Sequence, residues 1–341
     1  MTRRPTLMSV AQLAGVSTPT VSKVLNGRDD VAPGTRSRVR QALDELGYES
    51  PVQRRMHQTG PALVDLVFDG LKTPYSIELL RGIIGHSAGQ DVEIVLSQVT
   101  PAQLRRIDTG EWAARVAGSG RKGLILVTSE VSESQLREFD RHGVPVVVID
   151  PLNPPRTGLV SVGATNWAGG KAATEHLIGL GHTRIAHMGG PAAAECSQAR
   201  LHGFFAAMMA HGIPVDSDYL TDGSFDTATG VRAMERLLEL DTPPTAVFAG
   251  NDAIALGALQ VARSRGVRVP ADMSIVGFDG THLAEHAVPP LTSVAQPLQD
   301  MGRTALRTII RLAGGESLES YHVELATELV IRESTAAPPD K

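Results

Sequence analysis

The chain has 341 residues, 42% hydrophobic and 20% charged, enough apolar material for packed cores and too much length for one domain, so two or three folding units are expected. A single cysteine, Cys196, excludes an internal disulfide framework and a cysteine-rich zinc site, and no apolar run approaches the ~18–20 residues of a membrane span. Residues 1–58 hold nine Lys and Arg against five Asp and Glu, a net of +4, which leaves −9 for the remainder of a chain whose total is −5; such a basic head on an acidic body fits a head that meets phosphate.

The first residues, through Pro5, are basic but lead into a mixture of polar and apolar positions instead of a secretory core, so the expected location is the cytoplasm. Leu7, Val10, Ala11 and Ala14 recur at helical spacing. Gly15 can end that helix, and Ser17 can cap a second one in which Pro19 falls in the first turn. Val21, Val24 and Leu25 form the buried stripe of the second helix, leaving Thr18, Pro19, Ser22 and Lys23 facing outward. A third helix over about 33–46 closes a small core with Val39, Leu43 and Leu46 and carries Arg36, Arg38 and Arg40. Two short helices about a tight glycine turn form a helix-turn-helix, whose second helix can enter a major groove.

The string from Ala11 to Gly27, with Ala14-Gly15-Val16-Ser17, Thr20-Val21-Ser22 and Val24-Leu25-Asn26 in place, followed by Thr35-Arg36 and Gly47-Tyr48, resembles the head of the LacI/GalR repressors. The resemblance implies base contacts from Thr18, Pro19 and Lys23, and phosphate contacts from Thr6, Ser17, Ser22, Asn26 and Thr35. Ser9 stands where the family usually has Asp, a departure expected to affect helix capping alone. The polar, basic stretch 49–61 reads by itself as a linker. In the family it becomes a hinge helix that wedges a Leu into the minor groove. Here Gln53-Arg54-Arg55-Met56 replaces that motif, so Met56 becomes the candidate wedge and Arg54 and Arg55 the minor-groove cations.

From residue 62 onward, strand-like runs at 63–68, 92–96, 123–127, 145–149, 159–162, 185–188, 246–249 and 274–277 alternate with helical stretches at 77–89, 167–180, 201–211, 229–239, 252–265 and 298–312. That alternation predicts parallel sheets covered by helices on both faces, and the strands outnumber what one sheet needs. The resemblance continues through Gly189-Gly190-Pro191, Arg200 with Gly203-Phe204, Gly250-Asn251-Asp252, Gly277-Phe278-Asp279 and Thr292-Ser293-Val294. It implies an all-α helix-turn-helix head over 1–48, a hinge over 49–61, and an α/β two-lobed periplasmic-binding-protein-like body over 62–336. The expected lobes are about 62–162 plus 293–323 and about 163–292 plus 324–336, with a tail at 337–341.

Carried over by position, Asp150, Arg200, Asn251, Asp279 and Gln296 would line the cleft between lobes with polar groups, and Phe225 would give it an apolar wall. Asp69, Tyr75 and Trp167 are expected there too. Carboxylates, an amide, a forked guanidinium and an aromatic face suit a carbohydrate. No metalloprotease, nucleophile-elbow, Walker or dinucleotide motif is present, so neither an enzyme nor a cofactor or metal is expected. The expected partners are palindromic double-stranded operator DNA, a small effector and a second copy of the chain, with no membrane. A purine-type corepressor, a transport solute-binding protein and a regulator whose cleft binds nothing remain as alternatives.

Overall fold

A computed structural model describes residues 6–25, 31–46, 61–71, 73–153 and 158–339. The chain divides into two compact units, residues 1–60 and 61–341.

In the first unit, α1 (Leu7–Ala14), α2 (Thr18–Leu25) and α3 (Pro33–Leu46) surround a core of Val10, Ala11, Ala14, Val21, Val24, Val39 and Ala42. Helix α1 starts from a reciprocal cap. The Ser9 amide donates to Thr6 Oγ1 at 3.2 Å and the Thr6 amide donates to Ser9 Oγ at 2.8 Å, so two otherwise orphaned donors are satisfied. Ser9 therefore completes the cap with its hydroxyl. The helix ends at Gly15, whose φ of +64° is left-handed and whose amide donates to the Ala11 carbonyl.

The second unit contains two six-stranded sheets. The first is built from β1 (Ala62–Phe68), β2 (Val92–Gln98), β3 (Arg121–Val127), β4 (Val146–Ile149), β5 (Val160–Ala164) and β11 (His322–Leu325), in the order β2-β1-β3-β4-β5-β11 with every pairing parallel. The second is built from β6 (Ile185–Met188), β7 (Leu220–Thr221), β8 (Ala246–Ala249), β9 (Ser274–Asp279), β10 (Thr292–Ala295) and β12 (Glu328–Val330). Its order is β7-β6-β8-β9-β10-β12, and only β12 runs antiparallel. Near-continuous runs such as Val146–Ile149 are buried on both faces, as parallel strands require.

The chain crosses between lobes after β5, after β10 and after β11. Residues 293–295, expected in the first lobe, pair with β9 and β12 in the second instead, because Ser293, Val294 and Ala295 find their hydrogen-bonding partners there. Likewise 163–164 and 324–325 close the first sheet.

Helices pack in pairs held close by glycines. Helix α4 (Pro74–Ser87) meets α13 (Leu298–Ala313), α8 (Asn166–Gly179) meets α9 (Glu195–Ala210), and α10 (Thr227–Leu238) meets α11 (Asp252–Ser264). Each pair has a glycine on both partners: Gly82 and Gly302, Gly170 and Gly203, Gly230 and Gly257. A Cβ at any of the six would lie 1.9–2.4 Å from a carbonyl oxygen of the facing helix, so the backbones touch where side chains normally separate them.

Burial in the second lobe also sets a pH response. His187 on β6 is 2% exposed and stacks on Phe204, and desolvation pushes its pKa down to about 4. A depressed histidine contributes stability that is complete above the unfolded value near 6.5 and lost as pH falls through the folded value. Stability should therefore drop between about pH 6.5 and pH 4, with His187 contributing on the order of 3 kcal/mol of that change. Urea unfolding of the parent and of His187→Gln across this window checks it. Parallel curves would show that His187 binds protons equally in the folded and unfolded chain, with no depressed pKa.

Candidate functional site

In the first unit, α2 exposes Pro19 and Lys23, one helical turn apart, while Thr18 and Ser22 beside them are half-buried. Ser17 sits at the start of α2 with its hydroxyl 2.9 Å from that of Thr20. Thr35 is half-buried in the first turn of α3. These side chains form a polar surface around α2, backed by Val21 and Val24. Asn26, Arg54, Arg55 and Met56 lie outside the described residues.

The second candidate site is a cavity between the two sheets, at the carboxyl ends of their strands, where open α/β folds place ligands. The first lobe supplies Asp69 after β1, Tyr75 at the start of α4 and Asp150 after β4. The second supplies Arg200 from α9, Phe225 after β7, Asn251 before α11 and Asp279 at the end of β9. Seven of the nine side chains expected in a cleft thus face one cavity.

The cavity walls are held in uncommon geometry. Three non-glycine residues among those described have positive φ: Thr128 at +47°, Asp150 at +46° and Asp279 at +102°. All three line this cavity. Such backbones persist only where surrounding structure over-determines them, and they cluster at functional sites. Nothing in the sequence marked Thr128. Gly190 makes room for the aromatic wall, since a Cβ there would lie 2.1 Å from the Phe225 ring.

Arg200 is the hub. It is 3% exposed, donates from Nε to Asn166 Oδ1 at 2.8 Å and from Nη1 to the Gly250 carbonyl at 2.6 Å, and lies 3.7 Å from Asp279 Oδ1. Its guanidinium also stacks on Phe278, 3.8 Å from the ring centre. Across the cavity the Tyr75 hydroxyl donates to Asp150 Oδ2 at 2.5 Å. Burial raises the pKa of Asp150 even though the Tyr75 hydroxyl and Arg200 oppose it. Burial raises Asp279 too, with Arg200 again opposing and Asp252 adding repulsion.

Asn251 and Asp252 serve structure first. Asn251 Oδ1 accepts from the Ile254 amide at 2.9 Å and caps α11, which leaves its amide nitrogen to face a ligand. Asp252 accepts from the Thr281 amide and hydroxyl, both at 2.8 Å, and from the Ser293 hydroxyl at 2.6 Å. That arrangement pins the loop after β9.

Residues 6–50 match the family described as bacterial regulatory proteins, lacI family, and residues 174–335 match the periplasmic binding protein-like domain. The chain is 35% identical over 339 residues to the HTH-type transcriptional regulator CelR of Thermobifida fusca, covering 97% of this chain and 98% of that one. This chain belongs to the lacI family of bacterial regulators. It is also 32% identical to the catabolite control protein A of Priestia megaterium, over 97% of this chain and 99% of that protein. Among solved structures, a CelR–cellobiose complex matches with a TM-score of 0.72 at 35% identity, covering 97% of this chain and 100% of the other. The lac repressor dimer bound to operator and the anti-inducer ONPF matches at 0.71 and 26%, covering 98% and 100%.

Two of the expected cleft residues of this lacI-family regulator sit elsewhere. Trp167 does not line the cavity; its side chain is 48% exposed at the start of α8, while its carbonyl meets the Gly203 position of α9. Gln296 stands one layer behind, with Nε2 donating to Asp279 Oδ1 at 2.8 Å. It orients the carboxylate instead of lining the cavity.

Proposed function

We propose that this lacI-family transcription regulator is a homodimeric repressor that releases a palindromic operator when a neutral carbohydrate binds between its lobes. The observation that carries the reading is the charge pattern of the cleft. Buried Asp150 and Asp279 flank a single buried guanidinium, that of Arg200, among the described residues. An anionic effector would meet only one buried cation there, whereas hydroxyl groups pair with carboxyl oxygens and the Phe225 ring accepts the C–H face of a pyranose. CelR, with its cellobiose complex, makes that disaccharide the first probe.

Dimer formation is supported by the exposed apolar side chains Ile77 and Ile84 of α4 and Leu96 of edge strand β2. Two copies present two recognition helices to a twofold DNA site. The protein acts in the cytoplasm by binding alone, without catalysis. Among the described residues no helix is long and apolar enough to cross a membrane, and no cluster of three or more metal-capable side chains occurs.

Fluorescence anisotropy on operator DNA tests the reading, with sedimentation to report the dimer. Cellobiose or another neutral saccharide should release the operator. Tighter operator binding with ligand would replace induction by corepression, and release by a purine but by no saccharide would overturn the carbohydrate.

The head carries its own expectation. Lys23→Ala should weaken operator binding and relax preference at one base pair per half-site by ~1–3 kcal/mol. Uniform weakening on all sequences with a shallower salt dependence would make Lys23 a phosphate contact instead.

A further inference from the structure

The second lobe holds another cavity, of about 420 Å³, at the carboxyl ends of β6 and β7 between α9 and α10. It shares no lining residue with the interlobe cleft. The two are divided where Phe225, which faces the cleft, packs on Gly190, which faces this second space. Its volume falls within the ~300–1,000 Å³ typical of small-molecule sites.

The floor of this cavity is chemically unusual. Among the described residues four buried side-chain polar atoms have no hydrogen-bond partner: His187 Nδ1, Ser197 Oγ, Thr221 Oγ1 and Gln296 Oε1. The first three all belong to residues that line this one space. His187 is 2% exposed and Ser197 6%. Buried polar atoms without partners cost stability and are uncommon in native proteins, so three of them on residues lining one cavity single out this place.

The character of the site selects the class of partner. A neutral imidazole and two hydroxyls can each donate or accept, which matches groups that do both. At the rim, exposed Arg232 and Asp222 oppose one another in charge, and Arg236 lies 3.5 Å from Asp218 Oδ1. Little net positive charge remains to draw an anion. Leu201, Leu220 and Ala233 supply apolar wall for C–H groups.

We propose that this cavity is a second effector site, for a neutral polyhydroxylated molecule of monosaccharide size. The site does not depend on what the interlobe cleft binds. Helix α9 connects the two, since Cys196 and Arg200 face the cleft while Ser197 and Leu201, one position further along, face the second cavity.

Thermal unfolding of the full chain tests the proposal with D-glucose, D-galactose, D-ribose, cellobiose and glucose 6-phosphate as probes, because a bound ligand raises the melting temperature by mass action. The variants are Thr221→Val, which keeps shape and removes one hydroxyl, Ser197→Leu, which fills the floor, and Asp279→Asn, which alters only the cleft. At least one neutral monosaccharide should stabilise the parent and Asp279→Asn alike. That shift should vanish in Ser197→Leu, and the same sugar should bind Thr221→Val at least about fivefold more weakly. Should Ser197→Leu fail to fold, Thr221→Val decides alone. The proposal is overturned if every sugar shift disappears in Asp279→Asn and survives in Thr221→Val, or if no neutral monosaccharide stabilises the parent. A shift with glucose 6-phosphate but none with glucose would overturn the ligand class.

Discussion

Asp279→Asn is expected to leave operator binding within about twofold of the parent and to raise the carbohydrate concentration needed for release about tenfold or more. The substitution preserves shape, and Gln296 can still donate to the remaining amide oxygen. What changes is the charge facing the cleft and the group beside Arg200, 3.7 Å away. A ligand shifts the DNA-competent state only through its differential affinity for the two lobe arrangements, ~1–3 kcal/mol in typical systems. Losing one charge-assisted contact, worth ~1.5–3 kcal/mol, removes most of that. Arg200→Ala is a harsher change. It would leave Asn166 Oδ1, the Gly250 carbonyl and Asp279 without their buried cation, so it should also destabilise the lobe by ~3–5 kcal/mol. Arg200→Lys keeps the charge without the fork and is the gentler companion. Anisotropy titrations with cellobiose on the parent, Asp279→Asn and Arg200→Lys decide the matter. Release at the parental concentration in both variants would remove these residues from the effector site.

Gly230→Ala should destabilise the second lobe by more than about 3 kcal/mol, at the upper end of what overpacking costs. The new Cβ would lie 1.9 Å from the Ile254 carbonyl oxygen, which belongs to the backbone of α11 and cannot swing aside. A Cβ at Gly257 would likewise lie 2.1 Å from the Thr227 carbonyl oxygen, so the contact has no slack on either side and the two helices would have to separate along it. Gly179→Ala serves as the control. Nothing lies within 4 Å of its added Cβ at the end of α8, and helix propensity should make it neutral or stabilising by up to ~1 kcal/mol. Chemical denaturation of both variants measures the difference. Equal midpoints for Gly230→Ala and the parent would show that the close helix approach contributes nothing.

The amino-acid sequence by itself determined whatever depends on neighbours within a few residues. The helix-turn-helix was legible because Val21, Val24 and Leu25 repeat at helical spacing behind Gly15, and α3 ends at Leu46, the last residue of its apolar set. The strands over Ile185–Met188 and Ala246–Ala249 stood out as short apolar runs between amphipathic helices. The cleft aspartates and Arg200 were found through family resemblance, since nothing local separates Asp279 from a turn residue. Two amphipathic helices, α6 (Thr109–Gly118) and α7 (Glu133–Arg141), are not among those the sequence marked.

Only the tertiary structure decided where the chain changes lobe, that Gln296 stands behind Asp279, and that Trp167 is not among the residues lining the cavity. The positive φ at Thr128 and the three unpartnered polar atoms around His187 likewise became visible only there. The physical reason is range. Helical period and caps involve residues three or four apart, whereas β10 joins β9 and β12 through hydrogen bonds to residues about 16 and 36 positions away. Whether a buried side chain has a partner depends on every element packed around it.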